Sequence, residues 1–261
     1  MDDLRKLGES LGTKDATCEQ HGAYTSTGRR WLGKVEVWSG CKQCEAEKRQ
    51  QEAELEREKA AAEQRRIVEK AIDAACIPRR FVGRTFEVFD APTAEMQRVR
   101  RVAVTYADEF DRHLKNGTGL IFGGTPGTGK SHLAIAVLQA ILPEHVGLYA
   151  TCAEIIRAVR STWGGKSSRT EADVMSTLSG VPLLVLDEVG VQMGTDNEQH
   201  IIFGVLDARY REMLPTIILT NQDTEGLKKY LGERSYDRLR ETSAWVQFTW
   251  PSYRGANHAQ Q

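Results

Sequence analysis

The 261 residues predict an α/β fold: a parallel sheet flanked by helices, preceded by a small Cys/His module and a charged linker helix. Three observations carry this. From Ile77 onward, short apolar runs alternate with stretches of helical periodicity, the order that builds a parallel sheet from βαβ units. Within that alternation, Gly124, Gly129, Lys130 and Ser131 satisfy the P-loop pattern G-x-x-x-x-G-K-[ST]. Ahead of it, residues 45–75 contain no Gly or Pro and consist mainly of Glu, Lys, Arg, Gln and Ala, all good helix formers or helix-tolerant polar residues. The resulting organisation is a module over residues 1–45, a linker helix over 46–76 and an α/β domain over 77–261.

At the front, Cys18-x-x-His21 and Cys41-x-x-Cys44 form two hooks. Four nitrogen and sulfur donors in two hooks suit a closed tetrahedral Zn²⁺ site. Gly22 and Gly40 fit the tight turns beside them, and Trp31, Val35, Val37 and Trp38 predict a small hairpin packed on the metal. A section this short needs such a staple to hold a fold. Cys76 and Cys152 lie among apolar residues and read as small buried or half-buried hydrophobes.

The linker helix carries mixed charges at i,i+3 and i,i+4, such as Glu56 with Lys59 and Glu54 with Arg57. Its apolar residues are sparse before Ile67, so it reads as a solvated connector and not as a long coiled coil.

The α/β domain then unfolds in order. Leu120–Phe122 is a buried strand, followed by Gly124, Thr125, Pro126, Gly127, Thr128, Gly129, Lys130 and Ser131, and by a helix over His132–Leu142 whose Leu133, Val137 and Leu138 face the sheet. Glycines let backbone N–H groups close around phosphate oxygens, and the helix N-terminus adds partial positive charge. Lys130 is placed to reach the β- and γ-phosphates of ATP, and Ser131 to ligate Mg²⁺. His132 closes the nucleotide-binding stretch, as a surface residue of the helix N-terminus and not as a catalyst. Val146–Tyr149 predicts a strand and Ala153–Val159 a helix.

Leu183–Leu186 is an apolar strand ending in Asp187-Glu188. In open α/β sheets ligands bind beyond the carboxyl ends of the strands. Asp187 is therefore placed to hold Mg²⁺ and Glu188 to orient or deprotonate the attacking water. After a helix over His200–Met213, the strand Ile217–Thr220 ends at Asn221, positioned beside the γ-phosphate. Arg238, or as second choice Arg234, is placed to complete a neighbouring subunit's site as an arginine finger. Arg254, behind the apolar stretch Trp245–Trp250, is placed to fold back on the nucleotide from within its own chain.

Composition limits the rest. A balance of 40 % hydrophobic and 27 % charged residues is that of an ordinary soluble protein. A net charge of -1 excludes a uniformly basic nucleic-acid coat while leaving room for a local patch. No apolar stretch approaches the ~20 residues of a membrane span. Met1-Asp2-Asp3-Leu4 does not start a secretory signal. Five cysteines, three of them clustered, fit metal ligands and buried thiols in a reducing cytoplasm.

From about Ile77 to Arg254 the chain resembles the AAA+ ATPase domain of bacterial and phage helicase loaders of the DnaC type, a family that also includes the IstB-type helpers of transposition. The P-loop, Asp187-Glu188, Thr220-Asn221, the Gly232-Glu233-Arg234 to Arg238-Leu239 segment and Ser252-Tyr253-Arg254 carry the resemblance, as does the entry Ile77 to Phe86. It implies the roles Walker A, Walker B, sensor 1 for Asn221, arginine finger for Arg238 and sensor 2 for Arg254. It also implies a hexameric replicative helicase and single-stranded DNA as partners, with the chain self-associating on the helicase. Loaders and initiators of this family grip single-stranded DNA with a helical insertion before the Walker B strand. Here that region offers Arg157, Arg160, Lys166 and Arg169 for phosphates and Trp163 for base stacking, with Arg79, Arg80 and Arg84 as a second patch. Two alternatives keep parts of this reading: an IstB-type transposition helper, and an adaptor switched by ATP with little turnover.

Overall fold

The computed structural model describes residues 9–31, 34–163, 168–191 and 196–253. The chain forms two compact units, Met1–Arg66 and Ile67–Gln261.

In the first unit, β1 (Glu9–Cys18), β2 (Gly22–Trp31) and β3 (Val35–Trp38) form an antiparallel sheet in that order. The β2–β3 pairing is the expected hairpin. Strand β1 is an addition, invisible in the sequence because Glu9–Cys18 is almost wholly exposed and carries no apolar alternation. Gly28 is required by packing: a Cβ there would lie 2.8 Å from the Trp38 indole, which covers it. Lys14 caps the same ring from 4.1 Å, a cation–π contact. Helix α1 (Lys42–Ala74) follows as 33 continuous helical residues. Its ion pairs, such as Lys48–Glu52 and Arg66–Glu63, are exposed and contribute little each. The helix rests on propensity and solvation along most of its length.

In the second unit, the last turns of α1 lead to a 3-10 turn at Arg79–Phe81, α2 (Ala94–Asp108) and α3 (Phe110–Asn116). Next come β4 (Gly119–Gly124), α4 (Lys130–Ile141), β5 (Gly147–Thr151), α5 (Cys152–Ser161) and α6 (Glu171–Gly180). The unit finishes with β6 (Leu183–Val189), α7 (Asp196–Arg211), β7 (Thr216–Thr220), α8 (Thr224–Leu231), α9 (Glu233–Thr242) and β8 (Ser243–Phe248). The five strands are parallel, ordered β5-β6-β7-β4-β8. Successive residues of a strand enter opposite layers, as the pleat requires. Leu120 and Phe122 join one core with Leu133, Val137 and Leu138 of α4, while Ile121 joins another with Ile155 of α5 and Ile202 of α7. The helix periodicity expected for 132–142 is thus realised, with all three named residues fully buried. Helices α5 and α6 start with capping boxes, Thr151 with Glu154 and Thr170 with Asp173, which satisfy N–H groups left over at a helix start.

Two expectations change. Cys152 is buried, but Cys76 is exposed and adopts a left-handed φ of 57°, so it turns the chain after α1 and packs in no core. His132 is half-buried, not a surface residue: its ring meets Phe89 edge-on at 5.2 Å and its Nε2 lies 2.8 Å from the Thr85 carbonyl. Among the described residues, no helix is long and apolar enough to cross a membrane.

Candidate functional site

Topology gathers the site. Strand β7 lies between β4, which feeds the P-loop, and β6, which carries the two acids just before its last residue. The carboxyl ends of all three therefore meet at one end of the sheet, with exposed Asn221 between loop and acids. The P-loop turns at Gly124 (φ 148°), Gly127 (φ 82°) and Gly129 (φ 94°). Two of these admit no side chain: a Cβ on Gly124 would lie 2.3 Å from the Phe248 carbonyl, and one on Gly129 2.7 Å from the Phe89 ring. Thr128 is fully buried and its hydroxyl closes the loop on the Thr125 carbonyl at 2.9 Å. Lys130 reaches back into the loop, donating Nζ to the carbonyls of Gly124 (2.6 Å) and Thr125 (2.8 Å). Its ammonium thus sits at the mouth of the cradle, beside the N-terminus of α4, where anions are favoured.

Opposite the lysine, Ser131 donates Oγ to Asp187 Oδ2 at 2.9 Å. A hydroxyl and a carboxylate in contact beside a phosphate cradle form a donor pair that suits a hard divalent cation such as Mg²⁺. The same Asp187 oxygen accepts the Tyr149 hydroxyl at 2.7 Å, and Oδ1 accepts the Glu188 N–H at 2.7 Å. Glu188 is exposed and holds a left-handed φ of 61° where the β6–β7 register shifts. A non-glycine residue kept in that conformation is strained, a feature that concentrates at functional sites. The shift is locked from β7: Thr220 donates its hydroxyl to the Val189 carbonyl at 2.8 Å, and Gln222 donates its amide to the Gly190 carbonyl at 2.9 Å.

The C-terminal segment crosses the outside of the loop. Trp250 and Tyr253 both bond to it, through Trp250 Nε1 to the Thr128 carbonyl and the Tyr253 N–H to the Gly127 carbonyl, each at 2.9 Å. Arg254, like Lys166, lies outside the described residues.

Arg238 is elsewhere. It lines a groove of about 680 Å³ with Asn116, Thr118, Thr216 and Ser243, residues at the starts of β4, β7 and β8. Its guanidinium pairs with Asp207 and stacks over the Tyr210 ring at 4.9 Å. Arg238 and the P-loop thus lie at opposite ends of the same strands. Arg234 is exposed on the same helix. Of the residues expected to meet nucleic acid, Arg160 is paired with Glu198 at 2.9 Å. Trp163 stays 46 % exposed, with its Nε1 on Glu171 at 2.9 Å.

In the first unit, all four Cys/His donors converge within 4.8 Å of one another. Cys18 and His21 flank the β1–β2 turn, Cys41 precedes α1 and Cys44 sits in its first turn. Neighbouring donors are separated by 3.2 to 3.8 Å. Tetrahedral Zn²⁺ with Zn–S near 2.3 Å places its ligands about 3.3–3.8 Å apart, so the set could hold zinc. His21 directs Nδ1 at the sulfurs and Nε2 at Glu47 Oε1, 3.0 Å away, the outer partner that fixes a metal-binding imidazole. Backbone N–H groups of His21 and Gln20 lower the Cys18 thiol to about 6, which favours the thiolate. Its hydrogen bond in turn pushes Cys44 up to about 12.

Sequence reasoning missed Tyr149, Glu47, Asp207, Tyr210 and the hold of Trp250 on the loop. Only Glu47 had a local signal, one helical turn beyond Cys44. The others depend on pairings between distant segments.

Fold and site define a P-loop ATP-binding protein with the AAA+ arrangement of a five-stranded parallel sheet. Residues 41–261 match the family described as IstB-like ATP binding protein, and the chain belongs to that family. The replicative helicase loader DnaC of Buchnera aphidicola subsp. Schizaphis graminum is 34% identical over 189 residues, covering 72% of this chain and 76% of the relative. DnaC of Escherichia coli (strain K12) is 42% identical over 151 residues, 57% and 60% of the two chains. The crystal structure of the DnaC helicase loader superposes with a TM-score of 0.60 at 23% identity, over 66% of this chain and 99% of that one. The replication initiator DnaA bound to AMPPCP and single-stranded DNA gives 0.56 at 17%, over 67% and 51%. These two share the fold.

Proposed function

We propose that the chain is an ATP-dependent loader of a replicative DNA helicase onto single-stranded DNA. The observation that carries this is the 34% identity to a DnaC loader across 72% of the chain. The Cys/His module and α1 engage a hexameric helicase, and the second unit binds ATP, grips DNA and associates with further copies of itself.

In this reading Lys130 exchanges the Gly124 and Thr125 carbonyls for phosphate oxygens, and the N–H groups of Thr125 and of Gly127 to Ser131 line the cradle. Ser131 and Asp187 would hold Mg²⁺, which would supply neutralisation of the phosphate charge. Glu188 accepts the proton of the attacking water while Asn221 places it. The water oxygen bonds to the γ-phosphorus, the bond to the β–γ bridging oxygen breaks, and ADP leaves with phosphate. Arg238 cannot reach its own loop and stabilises the transferred group in a neighbouring copy; Arg254 contributes from within its own chain. Positioning and charge stabilisation supply most of the rate.

A Glu188→Gln variant tests the chemistry: ATP binding persists and turnover falls at least about 100-fold. Equal turnover would favour the adaptor with little hydrolysis. Co-purification from the native host tests the client. A replicative helicase is expected, whereas capture of a transposase without it would move the chain to the IstB-type helpers of the same family.

A further inference from the structure

Ser131 is not alone in orienting Asp187. Tyr149, in the middle of β5, crosses from the adjacent strand and donates its phenol to Asp187 Oδ2 at 2.7 Å, the oxygen that also accepts from Ser131. The ring is buried in the core layer of Leu133, Val137 and Leu183, so the hydroxyl is aimed by packing. The backbone of Tyr149 is fastened on the other side. Strand β5 is the edge of the sheet, and its outward Tyr149 N–H donates to the carbonyl of buried Ala75 at 2.8 Å. One tyrosine therefore joins the segment leaving α1 to the acid of the nucleotide site.

We propose that Tyr149 is a positioning residue of this site, presenting the Asp187 carboxylate to Mg²⁺ while the Ala75 carbonyl holds its strand in place. The inference rests on reading the loop and acids as a magnesium–nucleotide site. A carboxylate that receives a cation needs a fixed plane, and outer hydrogen bonds to ligands supply it. Ser131 is itself a ligand in that reading, so its hydroxyl is turned to the metal. The phenol is then the side-chain donor left to hold Oδ2.

Tyr149→Phe deletes the hydroxyl and keeps the ring and the Ala75 bond. The readout is binding of a fluorescent ATP analogue by anisotropy, with Mg²⁺ and with EDTA. The expected result is an unchanged affinity in EDTA and a magnesium-dependent gain reduced about tenfold. In an Asp187→Asn background the same change should have no further effect, because the two groups act through one contact. Equal magnesium gains in wild type and Tyr149→Phe overturn the proposal, as does an equal loss with and without Mg²⁺. A wild type whose nucleotide binding ignores Mg²⁺ overturns the reading of the site, and the proposal with it.

Discussion

Trp250 donates its indole N–H to the Thr128 carbonyl at 2.9 Å, across 122 residues of sequence. With the Tyr253 N–H on the Gly127 carbonyl, it pins the outer side of the P-loop and leaves the inner side to the phosphates of the proposed nucleotide. Trp250→Phe keeps the aromatic packing on Phe248 and strands a buried carbonyl, a loss of about 1–3 kcal/mol. Urea unfolding should register that drop, and nucleotide affinity should fall with it. Unchanged affinity would mean that the loop holds its shape without the C-terminal segment.

Arg209 is a buried cation whose partners are oxygens of the backbone and one hydroxyl. It donates to the carbonyls of Leu178, Val181, Pro182 and Pro215 and to Thr216 Oγ1. Burial pushes its pKa down to about 10, so it stays charged at neutral pH. It ties the end of α6 to the start of β7, and Arg209→Met should cost about 3–5 kcal/mol because those oxygens lose their donors. A loss under about 1 kcal/mol in urea would show that water replaces the guanidinium.

Burial lowers the pKa of His132 below its ordinary 6.5. Protonation is therefore easier in the unfolded chain. The stabilisation is complete above pH 6.5 and is lost as pH falls through the lower folded value. The thermal midpoint should drop between pH 7.5 and pH 5, and drop less in His132→Gln, which keeps a donor for the Thr85 carbonyl. Parallel pH profiles would clear this histidine of the effect.

Removing zinc should separate the two units. A strong chelator, or Cys44→Ser, should abolish the β1–β2–β3 sheet signal in circular dichroism and release stoichiometric metal, since small zinc modules fold on their ion. Nucleotide binding by the second unit should survive. A sheet that persists without metal would assign the Cys/His cluster another use.

Arg238→Ala should slow ATP turnover about 1,000-fold with little change in ATP affinity. Lys130→Ala should abolish binding in its own site. Mixed, the two variants should regain part of the phosphate release, because an intact finger can meet an intact loop. No recovery on mixing would remove Arg238 from the role of finger.

The α/β unit was legible because a parallel sheet covered on both faces leaves continuous apolar runs: Leu183–Leu186 and Ile217–Leu219 are fully buried, as read. The P-loop and the acid pair are local motifs and stand where the sequence put them. Strand β1 and helices α2, α3 and α6 were not read. Strand β1 is mostly exposed, and α6 buries only Leu178 among its described residues. Tyr149 was read as a strand residue, and its bond to Asp187 appears only once β5 and β6 pair. Arg238 was singled out, but the Asp207–Tyr210 cradle comes from α7, which no spacing near Arg238 announces.

Strand β4 runs from Gly119, beside the Arg238 groove, to Gly124 at the P-loop, a separation of about 17 Å at strand rise. A two-fold dimer satisfies surfaces at opposite ends of one strand only when both fall within a single self-complementary patch. Copies that use the two through separate interfaces stack head to tail, as a closed ring or an open helix. An open helix has unlike ends, one showing a loop and the other a finger. Every strand of the sheet then points the same way along the stack, and the chain's own direction becomes the polarity of whatever it builds.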